Sequence, residues 1–229
     1  GLGRAPGTDM LTARALRRNL EAGADNFPQD VVELINYFAP ATPDQRVRAV
    51  PGEGENVPVW ILGSSTYGAQ LAAMLGLPYA FASHFAPAEL ERALEIYRAR
   101  FEPSQFLDKP YVMLGFNVFA ADTDAEAKLL FSSLQQAFVA IRTNPRGKLK
   151  PPVEGYYESL EPMARHMLDD ALSQAVVGSP ETVRRGVDAF LARTGADELM
   201  VTAQIFDHTA RKRSYEILAD VHMGVSKAA

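Results

Sequence analysis

Between Val57 and Met74 the hydrophobic period of the chain changes within a few residues, and this restricts the fold more than any other stretch. Val57-Pro58-Val59-Trp60-Ile61-Leu62 is a short apolar run rich in β-branched and aromatic residues, the pattern of a strand buried on both faces. Gly63-Ser64-Ser65-Thr66 interrupts it with small and polar residues. The larger apolar groups of Tyr67 to Leu75 then recur at helical intervals and stop at Gly76, a residue suited to a helix C-terminal cap. A strand, a small polar turn and a helix together aim free backbone N–H groups and a partial positive charge at an anion. Two readings of the turn are open: Ser64 or Ser65 merely caps the helix, or the turn binds a phosphate.

The same unit recurs along the chain. Leu77 to Phe85 is a second apolar run, Pro87 starts a helix, and Leu90, Leu94, Tyr97 and Phe101 form its inner face. His84 falls at or just past the end of that strand. Tyr111 to Ala120 is a third strand, and Asp122 or Thr123 caps a long helix from Asp124 to about Arg142. Asn144 to Glu161, with its prolines, glycines and the pair Tyr156-Tyr157, reads either as a binding loop or as a plain surface insertion. Helical spacing resumes from Met163 to Ala175. Ser179-Pro180-Glu181-Thr182 opens another helix with Ser179 as cap, Glu198 to Phe206 is a last strand, and Thr209 to Val221 is a closing helix whose Arg211, Lys212 and Arg213 face water. Nearer the start, Met10 to Ala22 is helix-prone and Phe27 to Phe38 amphipathic. Strands alternating with helices predict an α/β fold with a parallel sheet, either doubly wound or closed as a (β/α)₈ barrel.

Several classes of function lose support. A formal net charge of −5 offers no footprint for nucleic acid. With no cysteine there is no thiolate metal site, disulfide or cysteine nucleophile. His166 beside Arg165 and Asp169 reads as a solvated face, and no compact histidine–carboxylate spacing occurs, so no metal is expected. No apolar run approaches the roughly 20 residues needed to span a bilayer, and a cytoplasmic protein is expected. Neither a Gly-x-Gly-x-x-Gly opening, a Walker pattern nor a Gly-x-Ser-x-Gly elbow is present.

Four segments, in order, carry a family resemblance: Gly1-Leu2-Gly3-Arg4-Ala5-Pro6-Gly7-Thr8-Asp9, Trp60-Ile61-Leu62-Gly63-Ser64-Ser65, Phe81-Ala82-Ser83-His84-Phe85-Ala86-Pro87 and Val177-Gly178-Ser179-Pro180-Glu181-Thr182-Val183. Together they resemble the landmarks of the bacterial luciferase-like flavin-dependent monooxygenases. The resemblance implies a (β/α)₈ TIM barrel binding FMN, with the deazaflavin F420 as the less favoured cofactor. It implies one domain over residues 1–229, from the end of the fourth strand through the eighth helix, with an insertion at about 143–176. Gly1 to Arg4 would then be a strand stub preceded by earlier units, and the strands counted here would not close a barrel or hold FMN tightly by themselves.

The resemblance also implies roles. Arg4 would reach the flavin phosphate, where a guanidinium fork suits the oxyanion. Gly63, Ser64, Ser65 and Thr66 would complete the cradle, although Gly68 stands where luciferases carry a further threonine. His84 would face the isoalloxazine or the substrate. The implied activity is reduced flavin reacting with oxygen, or exchanging hydride, in the presence of a small organic substrate, with a NAD(P)H-dependent flavin reductase as supplier and a homodimer as assembly. The alternatives are a phosphate-anchoring barrel lyase or isomerase, and a flavoprotein without turnover.

Overall fold

The computed structural model describes residues 1–4, 10–15, 26–141 and 147–224. Gly1–Phe81 with Arg92–Val112 make up one compact unit, and Ala82–Glu91 with Met113–Ala229 another.

In the first unit, β1 (Leu2–Gly3), β2 (Ile61–Gly63) and β3 (Tyr79–Phe81) are parallel, with Leu2 opposite Ile61 and Gly63 opposite Phe81. Helix α1 is described over Met10–Ala15, the rest of the stretch expected to be helical, to Ala22, lying outside the described residues, and α2 (Phe27–Phe38) carries Pro28 in its first turn and buries Phe27 and Val31. Parallel neighbours need a crossover, and α3 (Thr66–Met74) supplies it between β2 and β3. Its fully buried Ala69, Ala72 and Ala73 keep it close to the strands. Gly76 ends that element at φ 60°, a left-handed conformation that costs glycine least, as the sequence predicts. The strand expected over Val57–Leu62 is shorter: only Ile61–Gly63 has ladder partners, and Leu62 is 45% exposed rather than buried on both faces. Pro58 brings no N–H to a ladder, in keeping with a strand that opens only after it.

Helix α4 (Leu90–Ala99) begins at Leu90, three residues later than expected, after a turn in which the Leu90 N–H donates to the Pro87 carbonyl at 3.0 Å. Within the first unit its Tyr97 is fully buried. The Tyr97 hydroxyl donates to the Leu77 carbonyl at 2.8 Å and accepts from the Tyr111 N–H at 3.1 Å, tying the helix to both flanking segments.

The second unit is built on β4 (Val112–Ala120), which is buried along almost its whole length. Two parallel partners share it: β6 (Glu198–Thr202) runs beside Met113–Asn117, and β5 (Ala175–Gly178) beside Asn117–Ala120. The helical spacing expected to reach Ala175 ends at Ala171, and Ala175 instead opens a strand. Helix α5 (Asp124–Ala140) starts on Thr123, whose hydroxyl accepts the Glu126 N–H at 3.2 Å. Leu130 and Leu134 of α5 pack with Phe119, Ala203 and Ile205.

The excursion after α5 folds into α6 (Tyr156–Ser159) and α7 (Pro162–Ala171), and Leu168 and Leu172 join that same core. Helix α8 (Pro180–Thr194) stacks Phe190 on Phe116 with ring centroids 4.2 Å apart. Ser179 precedes it, but its hydroxyl makes no capping bond. Its N–H donates instead to Asp124 Oδ1 at 2.6 Å, which holds the Asp124 carboxyl below the usual carboxylate range. The last helix, α9 (His208–Met223), is capped by Asp207, which accepts the Ala210 N–H at 2.7 Å. Of the three cations expected to face water, Arg213 is paired with Asp122 at 2.7 Å.

Candidate functional site

The polar turn of the first unit is held from beneath. Tyr79, fully buried, donates its hydroxyl to the Ser65 carbonyl at 3.2 Å, and burial pushes its phenol up so that it remains a neutral donor. The backbones of Gly63 and Gly68 meet over the same ring: a Cβ on Gly68 would lie 3.3 Å from Tyr79 Cε2 and 3.6 Å from the Gly63 Cα. A side chain at position 68, where the resemblance leads one to expect threonine, would press on the Tyr79 ring.

Ser65 occupies the cap position of α3, extended at φ −146° and ψ 171°, yet its hydroxyl makes no capping bond. The first-turn donors therefore remain available to another acceptor. Arg4 follows β1 directly, so the parallel register carries it alongside Gly63. Its guanidinium lies over the Tyr67 ring, 4.1 Å from the centroid, in the first turn of α3. Arg4, Gly63, Ser64, Ser65 and Thr66 are thus brought together around one helix N-terminus, with a cation, three hydroxyls and free N–H groups. This donor set fits a phosphate monoester.

His84 belongs to the second unit, in the turn that follows β3. The preceding Ser83 is fully buried and donates its hydroxyl to the Gly115 carbonyl at 2.6 Å. The imidazole is then packed against Gly115 with its Nδ1 side nearest: a Cβ there would come within 2.8 Å of Cε1 and closer still to Nδ1. Phe85 meets the ring edge to face at 4.9 Å. His84 Nδ1 is buried without a hydrogen-bond partner, and burial lowers its pKa below the ordinary histidine value. The neutral ring is therefore the resting form. Because the folded chain binds this proton more weakly than the unfolded one, the group's effect on stability turns unfavourable as the pH falls below the ordinary histidine range.

Asn117, only 1% exposed, fixes this turn to the sheet. A carbonyl can only accept, so the amide NH₂ of Asn117 must face the His84 carbonyl, at 2.5 Å; its Oδ1 is left to accept the Thr202 hydroxyl at 2.7 Å. Sequence reasoning singled out His84 but missed Ser83, Asn117 and Thr202. One signal was available: Asn117 is the lone strongly polar residue inside an apolar strand. Tyr79 and Tyr67 carried no such mark, since both read as ordinary aromatic positions of a strand and a helix. Among the described residues no group of three or more metal-ligating side chains gathers, and no helix is long and apolar enough to cross a membrane.

In the first unit Arg4 and the turn Gly63–Thr66 follow directly on the C-terminal ends of the parallel strands β1 and β2, the end on which β/α barrel proteins build their sites. The chain belongs to the luciferase-like monooxygenase family, whose model matches residues 15–198. Its fold class is accordingly the luciferase-like (β/α)₈ type. A luciferase-like monooxygenase of Escherichia coli (strain K12) is 51% identical over 221 residues, covering 96% of this chain and 66% of the relative. The chain thus spans about two thirds of that relative's length. Among solved structures, apo-MsnO8 superposes with a TM-score of 0.79 at 31% identity, covering 96% of this chain and 67% of that one. The oxygenating constituent of 3,6-diketocamphane monooxygenase from Pseudomonas putida, in complex with FMN, shares the fold with a TM-score of 0.57 at 19% identity, covering 95% of this chain and 68% of that one.

Proposed function

We propose that the protein is a flavin-dependent oxidoreductase that anchors FMN by its phosphate at Gly63–Thr66 and Arg4 and acts on a small organic substrate. The observation that carries this reading is the first turn of α3, where Ser65 sits at the cap with its hydroxyl unspent and Arg4 stacks on Tyr67. Bound FMN supplies the redox chemistry, either reaction with oxygen or hydride exchange. The chain's own residues bind, orient and hold protons. The turn's N–H groups and hydroxyls and the Arg4 guanidinium neutralise the phosphate, while Tyr79 and the two glycines keep the turn in place. His84, neutral and with an unpartnered Nδ1, can take a proton during turnover. F420 is the alternative cofactor.

The phosphate assignment is tested by Arg4→Ala. Losing a bond to a charged group is expected to cost FMN about 1.5 to 3 kcal/mol, whereas riboflavin, which lacks the phosphate, loses much less. Equal losses for the two ligands in parallel fluorescence titrations would refute it. A phosphate-anchoring lyase or isomerase would come out colourless once unbound FMN is removed by gel filtration. For His84→Ala, the expected result is a lower rate per bound flavin with flavin retention preserved; a variant that sheds flavin but keeps its rate per bound flavin would reduce His84 to a structural support.

A further inference from the structure

A cavity lies within the second unit, where β6 gives way to α9. Its volume is about 640 Å³, within the range that holds small organic ligands. Thr202 and Gln204 line its strand end, His208, Arg211 and Lys212 its helix side, and Leu149 and Tyr215 supply an apolar wall. No carboxylate lines it. In a chain with 28 acidic and 23 basic residues, this is a local reversal of charge. Among the described residues neither Arg211 nor Lys212 forms an ion pair with a carboxylate, although the adjacent Arg213 is paired with Asp122.

Arg211 is oriented rather than loose. Its Nη2 lies 2.9 Å from His208 Nδ1, and since a guanidinium only donates, the imidazole nitrogen accepts. Asp207 is engaged as the helix cap, its Oδ1 accepting the Ala210 N–H at 2.7 Å, and it is not among the residues that line the cavity. The Tyr215 hydroxyl accepts the Ala203 N–H at 3.1 Å, which fixes the wall to the end of β6. The cavity is also coupled to His84, since Thr202, which lines it, holds Asn117, and Asn117 holds the His84 carbonyl.

We infer that this cavity binds the carboxylate of an organic substrate, with Arg211 and Lys212 on the anionic head and Leu149 and Tyr215 against a short apolar body. This rests on the oxidoreductase reading only for the word substrate; the binding itself does not depend on flavin. A planar guanidinium fork matches a carboxylate, and an ammonium beside it adds charge without demanding geometry.

The test is calorimetric titration of the flavin-free full chain at low ionic strength with hexanoate, hexanol and inorganic phosphate. Hexanoate is expected to bind roughly tenfold or more tightly than hexanol, and more tightly than phosphate. In the double variant Arg211→Gln, Lys212→Gln hexanoate should lose about tenfold or more while hexanol is unchanged. A charge-matched control, Arg184→Gln with Arg185→Gln on α8, should behave as the parent chain. Equal binding of hexanoate and hexanol, or phosphate bound as tightly as hexanoate, would overturn the substrate class. Equal losses in the test and control variants would overturn the site. A fall in FMN retention specific to the Arg211, Lys212 variant would assign the cavity to the cofactor and likewise overturn the inference. Failure of the flavin reading shows up separately, in the Arg4 titrations.

Discussion

Truncating Tyr79 to alanine is expected to lower the unfolding free energy by about 3 to 5 kcal/mol, the cost of emptying a large aromatic site in a core that cannot fully collapse. The ring is fully buried, 5.4 Å from Tyr97 and 6.3 Å from Phe81 between centroids, and its far edge touches the paired glycines beneath the polar turn. Tyr79→Phe keeps the packing and removes only the hydroxyl that reaches the Ser65 carbonyl, so its expected cost is about 0.5 to 1.5 kcal/mol. Urea unfolding of the two variants separates packing from hydrogen bonding. A loss below about 1 kcal/mol for the alanine variant, outside the range for large aromatic truncations, would show that the turn does not rest on this ring.

A methyl group added at Gly115 is expected to act on His84 from below. The new Cβ would meet the imidazole at separations that no real structure tolerates, so the ring must swing off the strand or the strand must give. Overpacking of this kind costs about 1 to 3 kcal/mol of stability. The larger effect is on rate: if His84 moves a proton in turnover, displacing its ring in Gly115→Ala should slow turnover per bound flavin on the order of 100-fold, the scale of a positioned acid–base group. Steady-state assays of Gly115→Ala beside His84→Ala decide the matter. Similar rate losses are the expected pattern; full activity in Gly115→Ala would mean that the ring's placement is irrelevant to turnover.

Much of this architecture was legible before any coordinates. The turn at Gly63 to Thr66, the helix after it, the cap at Thr123 and the start at Pro180 follow from local chemistry, because turns and helix ends are specified by the residues that occupy them. What failed was set by partners distant in sequence. Ala175–Gly178 is four residues without alternation, and it is a strand because Asn117–Ala120 offers it a ladder. Val57 to Leu62 looked like a doubly buried strand by composition, but composition does not say where a ladder starts: it opens only at Ile61, and Leu62 is exposed. Arg211 and Lys212 are exposed, as their helical spacing implies, but that spacing says only which residues share a face and not that Thr202 and Gln204 stand beside them. Arg4 could be connected with the turn through the resemblance, whereas its resting place on Tyr67 required the register of β1 against β2.

Asn117 has a consequence for anyone recombining this protein with its relatives. It stands at the residue where β4 passes from one parallel partner to the other, and its amide is read at both ends, by a carbonyl from the His84 turn and by a hydroxyl from β6. Aspartate in its place would set a carboxylate oxygen against the His84 carbonyl oxygen, and leucine would abandon both partners in a dry interior. The loop bearing His84 is therefore not a transplantable cassette. Moved to another scaffold, it has to travel with an asparagine on the facing strand and a hydroxyl-bearing residue on the next, three pieces from separate parts of the chain that function as one inherited part.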